Sequence, residues 1–159
     1  MKTNLIHPIE PIYDESSEIL ILGSFPSVIS REENMYYANP HNRFWKVMEI
    51  LFEEEVNDKK VFCLKHHIAL WDVIHSCTIN KSSDASITDV KVNDFTKILK
   101  NSNIHTIFTT GSKANQLYNK YVSLDIPQIA LPSTSSANAS MKIDELVEKY
   151  KIILEYIHE

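Results

Sequence analysis

The sequence predicts an α/β fold: a three-layer α/β/α sandwich with a central, mainly parallel four-stranded sheet, formed as a single domain over residues 1–159. Three observations lead there. Four short apolar runs are continuous rather than alternating, which marks strands buried on both faces, as in a parallel sheet. Helix-period apolar patterns fall between and after those runs, and strand–helix alternation is the pattern of a layered α/β domain. The length and the 43% hydrophobic content are enough for one buried core.

The first run is Ile19–Leu22, reading ILIL. Phe44, Val47, Met48, Leu51 and Phe52 then follow i, i+3, i+4, i+7, i+8 spacing, the stripe of an amphipathic helix. The second run is Ile68–Val73, IALWDV. Val92, Phe95, Ile98 and Leu99 repeat the helical spacing before the third run, Ile104–Thr110, IHTIFTT. Ala114, Leu117, Tyr118 and Tyr121 give another helix, and Gln128–Leu131, QIAL, the fourth strand. Leu146, Val147, Tyr150, Ile153, Leu154 and Ile157 predict one long closing helix.

Composition narrows the function. The net charge of −5 weighs against a non-specific nucleic-acid binder while leaving room for a locally basic cleft. No apolar run approaches the ~18 residues of a membrane span, and the N-terminus lacks the apolar stretch of a secretory signal. Cys63 and Cys77 are too few for a disulfide framework and read as free buried thiols of a cytoplasmic protein. The seven histidines show no zinc-ligand spacing, so no metal is expected.

Glycine is the most informative residue here. Average usage of ~7% would give about 11 in this length; Gly23 and Gly111 are the whole supply. Each directly follows a predicted strand, where open α/β sheets bind ligands. Gly111 has a plain alternative as a tight turn, with Ser112 as a helix N-cap. Gly23 opens a connection of about twenty residues, against a usual 2–6. That connection matches neither a phosphate-binding loop nor a nucleophile elbow. It carries Tyr36, Tyr37, Asn39, His41, Asn42 and Arg43, ending in Phe44 and Trp45. Aromatics with amides and a guanidinium suit the stacking and edge-reading of a planar polar ligand such as a nucleobase. Phe44 and Trp45 are also natural core residues at a helix start.

The stretch GSFPSVISREENMYYANPHNRFWKVMEILF resembles the first motif block of the uracil-DNA glycosylase superfamily, and within it the hypoxanthine-DNA (DNA-deoxyinosine) glycosylase branch. IALWDVIHSCTINKSSDASI, TIFTTGSKANQLY and LPSTSSANAS resemble the later blocks, in the right order and over nearly the whole chain. The resemblance implies a uracil-DNA glycosylase-like fold and a monofunctional enzyme. Such an enzyme would flip a deaminated base, hypoxanthine or uracil, out of DNA and hydrolyse its N-glycosidic bond. It implies no cofactor, DNA as the partner, a monomer and a cytoplasmic location.

Many members place a water-activating Asp or Asn where this chain has Phe25. In the hypoxanthine branch a downstream Asn takes over, and the best match is Asn42 of Asn-Arg-Phe-Trp, to orient water or bind the base. A capping role is the alternative for that Asn. The usual HPxN reads Asn39-Pro40-His41-Asn42 here, which makes Asn39 the second catalytic candidate. The resemblance puts Ser24, Phe25 and Tyr37 at the base, with the Tyr37 ring stacked on it; Gly23 and Asp72 are placed at the base by their positions at predicted strand ends. The resemblance also puts Ser133, Thr134 and Ser135 at the DNA backbone. Arg43 and Lys113, with Arg31, Lys81 and Lys142, fall in loops or helix starts on the expected site side and could form a local basic rim there that also meets DNA. Asp72, at a strand end, could also be a cap, and Asp84 a solvated loop residue. Two other functions fit the residues: a catalytically inactive nucleic-acid-binding module, suggested by Phe25, and a small hydrolase using Ser24 or Ser133 with a histidine.

Overall fold

The structure is a computed structural model that describes residues 2–80 and 86–158. Lys81 and Asp84 lie outside the described residues. The strands in chain order are β1 (Lys2–Ile6), β2 (Ile19–Gly23), β3 (Ile68–Asp72), β4 (Ile74–Asn80), β5 (Thr88–Val92), β6 (Thr106–Thr110) and β7 (Gln128–Leu131). The helices are α1 (Val28–Glu33), α2 (Phe44–Phe52), α3 (Lys59–Lys65), α4 (Thr96–Lys100), α5 (Ser112–Tyr121) and α6 (Ile143–Tyr150). A 3₁₀ turn over Lys151–Tyr156 follows.

The expected sheet is present, with strand order β3-β2-β6-β7 and every pairing parallel. All five residues of β2 are buried, as its unbroken apolar run requires. Side chains alternate across a strand, so Ile19 and Ile21 face one core while Leu20 and Leu22 face another. The first core holds Phe44, Val47 and Met48 of α2 with Leu146 and Tyr150 of α6. The second holds Ile98 of α4 with Leu117 and Tyr118 of α5. Two helical layers around one sheet result. Cys63 and Cys77 are buried and free, one in each core, so the sheet separates them.

Helices α1 and α3 were not expected from the sequence, and four further features differ from it. A second, three-stranded antiparallel sheet, β1-β4-β5, was not expected. Its strands carry few apolar residues in a row, and β4 is held by partners 65 or more positions away in β1, a contact no local pattern reports. Val92 ends β5 rather than starting a helix, and α4 begins only after Phe95. Gly111, not Ser112, is the N-cap of α5, with φ of 90°, a left-handed value that L side chains rarely adopt. The closing helix ends at Tyr150 and tightens into the 3₁₀ turn. Buried Tyr150 and Ile153 are three apart, and that spacing falls on one line in a three-residue winding.

The hydroxyl of Tyr118 is buried and has no hydrogen-bond partner among the described residues. An unsatisfied buried hydroxyl is unfavourable by ~1–3 kcal/mol. Tyr118→Phe is therefore expected to raise Tm by roughly 2–4 °C per kcal/mol recovered. A lower Tm in a thermal melt would show that the hydroxyl has a partner.

Candidate active site

The carboxyl ends of β2, β3 and β6 and the loop after β7 surround a cleft of about 460 Å³. It is in the size range of small-ligand sites. Gly23 ends β2 and pairs in register with Asp72 at the end of β3. A methyl group built on Gly23 would lie 2.6 Å from Asp72 Oδ1, 3.4 Å from the Tyr37 hydroxyl and 3.7 Å from Thr110 Oγ1. Gly23 does not have a positive φ. The chain therefore uses glycine here for space: the Asp72 carboxylate sits where any side chain would go.

The long connection after β2 is built rather than slack. Ser27 caps α1, and Asn34 closes it in a left-handed conformation. Buried Ser30 then accepts the Ala38 N–H. Tyr36 is core, with its hydroxyl donating to Glu10 O at 2.9 Å, and Trp45 Nε1 donates to Tyr36 O. These bonds force Tyr37 into a φ of 54°, which costs a non-glycine residue of order 1–3 kcal/mol. The Tyr37 ring stacks on Phe44, with centroids 3.9 Å apart, and its hydroxyl meets Thr110 Oγ1 at 3.2 Å. Phe44 covers one face of that ring, and Tyr37 lines the cleft. Burial, and then the charge of Asp72, push the Tyr36 and Tyr37 phenols well above the ordinary tyrosine range.

Asn42 is fixed by its oxygen. Phe44 N–H, which can only donate, reaches Oδ1 at 2.9 Å, and Thr134 Oγ1 donates to the same atom at 2.8 Å. The capping alternative is thus realised, and it leaves the Nδ2 amide as the group with no partner among the described residues. Among the described residues, Asn39 Oδ1 accepts only the His41 N–H. Both asparagines line the cleft.

The opposite wall is the 133–137 segment. Thr134 is buried and committed to Asn42, whereas Ser133 and Ser135 use their hydroxyl oxygens to accept backbone N–H groups and keep their O–H. Arg43, expected at DNA, directs its guanidinium at the carbonyls of Thr134, Ser135, Asn138 and Met141 instead. Ser24 and Phe25 line the cleft, and Arg31 stands 5.7 Å over the Phe25 ring while donating to Pro26 O. Lys113 is not a lining residue; it sits in the first turn of α5, beyond Gly111.

Sequence reasoning missed His7 and Thr110. His7 Nε2 lies 2.8 Å from Asp72 Oδ2, with both side chains almost fully buried. The partners are 65 residues apart, so no spacing signals them. Histidines expected to be scattered also meet elsewhere. Glu18, His105 and His158 bring ligand-type atoms within 4.8 Å of one another, with both histidines exposed and Glu18 partly buried, at the amino ends of the strands and away from the cleft.

The uracil DNA glycosylase superfamily model matches residues 10–156. The chain belongs to that superfamily. It is 36% identical over 133 residues to a hypoxanthine DNA glycosylase of Methanosarcina acetivorans, covering 80% of this chain and 84% of the relative. It is 31% identical to the hypoxanthine DNA glycosylase of Methanosarcina barkeri over 135 residues, or 80% and 85% of the two chains. A solution NMR structure from Methanosarcina acetivorans, named as a candidate uracil DNA glycosylase, superposes with a TM-score of 0.76 at 31% identity. That match covers 94% of this chain and 99% of the other. Superfamily membership and the parallel sheet agree with the fold expected from sequence.

The Gly23–Asp72 contact can be tested without any substrate. Gly23→Ala is expected to destabilise the protein by about 1–3 kcal/mol through overpacking. Adding Asp72→Ala should remove most of that penalty in a double-mutant cycle. Strictly additive effects in denaturant titrations would contradict the contact.

Proposed function

We propose that the protein is a monofunctional DNA glycosylase that takes a flipped deaminated base, hypoxanthine or uracil, into this cleft and hydrolyses its N-glycosidic bond. The observation that carries the reading is the placement of two amides, a carboxylate and a stacked tyrosine around the bare backbone of Gly23, in a chain of this superfamily. Flipping costs a few kcal/mol, which the cleft must offset by holding the base. The Tyr37 ring covers a face of the base, and Gly23 lets it reach the floor beside Asp72.

Cleavage leaves positive charge on the sugar and negative charge on the departing base. A water oxygen attacks C1′ as the C1′–N bond breaks, the bonding pair leaves with the base, and the proton the water loses ends on the departed base, leaving a C1′ hydroxyl. Catalysis then depends on preorganised donors aimed at the developing anion. Asn42 supplies one through Nδ2; both acceptor positions of its Oδ1 are already taken. Asn39 keeps acceptor capacity on Oδ1 and is the better placed of the two to orient the water. Ser133, Ser135 and Lys113 face the DNA backbone in this reading, since hydroxyls, loop amides and cations suit phosphate contact. The protein acts as a cytoplasmic monomer without a metal or other cofactor.

Asn42→Asp separates the two roles of this residue. It keeps an acceptor for Phe44 N–H and Thr134 Oγ1 and removes the donor. Turnover on oligonucleotides carrying one inosine or uracil, followed by alkaline cleavage at the abasic site, is expected to fall ~10²-fold or more, the loss of a positioned transition-state donor, with Tm little changed. Unchanged or faster turnover would overturn the donor role. A wild-type protein that leaves inosine, uracil and xanthine strands intact would favour the inactive binding module.

A further inference from the structure

At the floor of the cleft Asp72 is joined to a residue, His7, that the chemistry above does not use. His7 and Asp72 are joined at 2.8 Å with side chains 2% and 6% exposed. The Ile9 N–H, which can only donate, points at His7 Nδ1 from 3.3 Å. That nitrogen therefore carries no proton, and the single ring proton sits on Nε2, where it donates to Asp72 Oδ2. His7 is thus the donor of this pair and Asp72 Oδ2 the acceptor. Asp72 Oδ1 has no partner among the described residues and faces the space above Gly23.

The ring cannot easily turn. The His7 N–H donates to His75 O, continuing the pairing of β1 with β4. Phe25 packs edge-on against the imidazole at 5.8 Å, and Tyr36 lies 6.1 Å away. The second sheet thereby delivers a hydrogen-bond donor to the floor of the cleft.

Deamination changes one atom on the base edge in a way this floor can read. Adenine N1 and cytosine N3 are acceptors; in hypoxanthine and uracil the same nitrogens carry a proton and donate. A fixed carboxylate oxygen accepts from the second kind and repels the lone pair of the first. We propose that His7 is a positioning residue for base selection, holding Asp72 so that Oδ1 accepts the ring N–H that deamination creates. This inference rests on the glycosylase reading and names the atom by which that reading chooses its substrate.

The titratable groups facing Asp72 are His7 and the phenols of Tyr36 and Tyr37, whose raised values keep them neutral; β6 contributes the uncharged Thr110. A donor to a carboxylate favours its charged form. His7→Phe keeps an aromatic ring against Phe25 and removes that donor, so Oδ2 is no longer held and Oδ1 is no longer fixed at the cleft floor.

The test is single-turnover cleavage of inosine and adenine strands across pH 5.5–9 by the wild type, His7→Phe and His7→Gln. His7→Phe is expected to cut inosine cleavage ~10- to 100-fold, the worth of a hydrogen bond to a charged group. It should also narrow the inosine-to-adenine ratio. His7→Gln, which keeps a donor, should restore most of the loss and the original ratio. Unchanged selectivity in a folded His7→Phe overturns the inference while leaving the glycosylase reading intact. No cleavage by wild type overturns both. If His7→Phe does not fold, ¹⁵N-resolved imidazole spectra of the wild type decide: an Nε2–H tautomer constant from pH 5.5 to 9 supports the inference, and an imidazolium or Nδ1–H ring overturns it.

Discussion

The cleft depends on Arg43. Its walls are two segments with little regular structure, one before α2 and one after β7. The Arg43 guanidinium donates to four carbonyls of the 134–141 stretch, its backbone N–H donates to Thr134 O, and Asn42 takes the Thr134 hydroxyl. Irregular backbone carries carbonyls that need donors, and the planar five-donor guanidinium is the side chain that can serve several at once. Carbonyls solvate the cation without cancelling its charge. Arg43 thus adds positive potential beside the cleft of an acidic protein while making structural contacts, and lysine could not replace it.

Around that clasp the site is organised by what each polar group is prevented from doing. Asn42 Oδ1 is occupied, so its amide faces the cleft. Asp72 Oδ2 is held, so Oδ1 is the remaining acceptor. The ring of Tyr37 is held on one face by Phe44, in a backbone conformation that costs energy, which keeps it at the cleft. Preorganisation of this kind is what electrostatic catalysis requires, because donors that need no rearrangement retain their full effect in the transition state.

Much of this was legible in the sequence. The four parallel strands appear as unbroken apolar runs because both their faces are buried, and α2 appears as a stripe because one of its faces is. The motif around Asn42 and Arg43 identified the family. The roles within it were less legible, since they depend on contacts between residues 65 to about 100 positions apart: His7 with Asp72, and Arg43 with the 134–141 stretch. The second sheet is formed by strands with too little apolar character to stand out locally. Gly23 was marked as unusual, and the structure gives the reason: the neighbouring Asp72 carboxylate leaves no room for a side chain.

The central claim is that a base binds on the Gly23 floor with the Asn42 amide turned towards it. The most direct measurement is a titration of the ¹⁵N-labelled wild-type protein with free hypoxanthine, followed in amide spectra. The expected result is that the largest shifts fall on the Gly23 backbone amide and the Asn42 side-chain amide. Saturable shifts confined to another surface, such as the Glu18–His105–His158 face, with Gly23 and Asn42 unmoved, would contradict it.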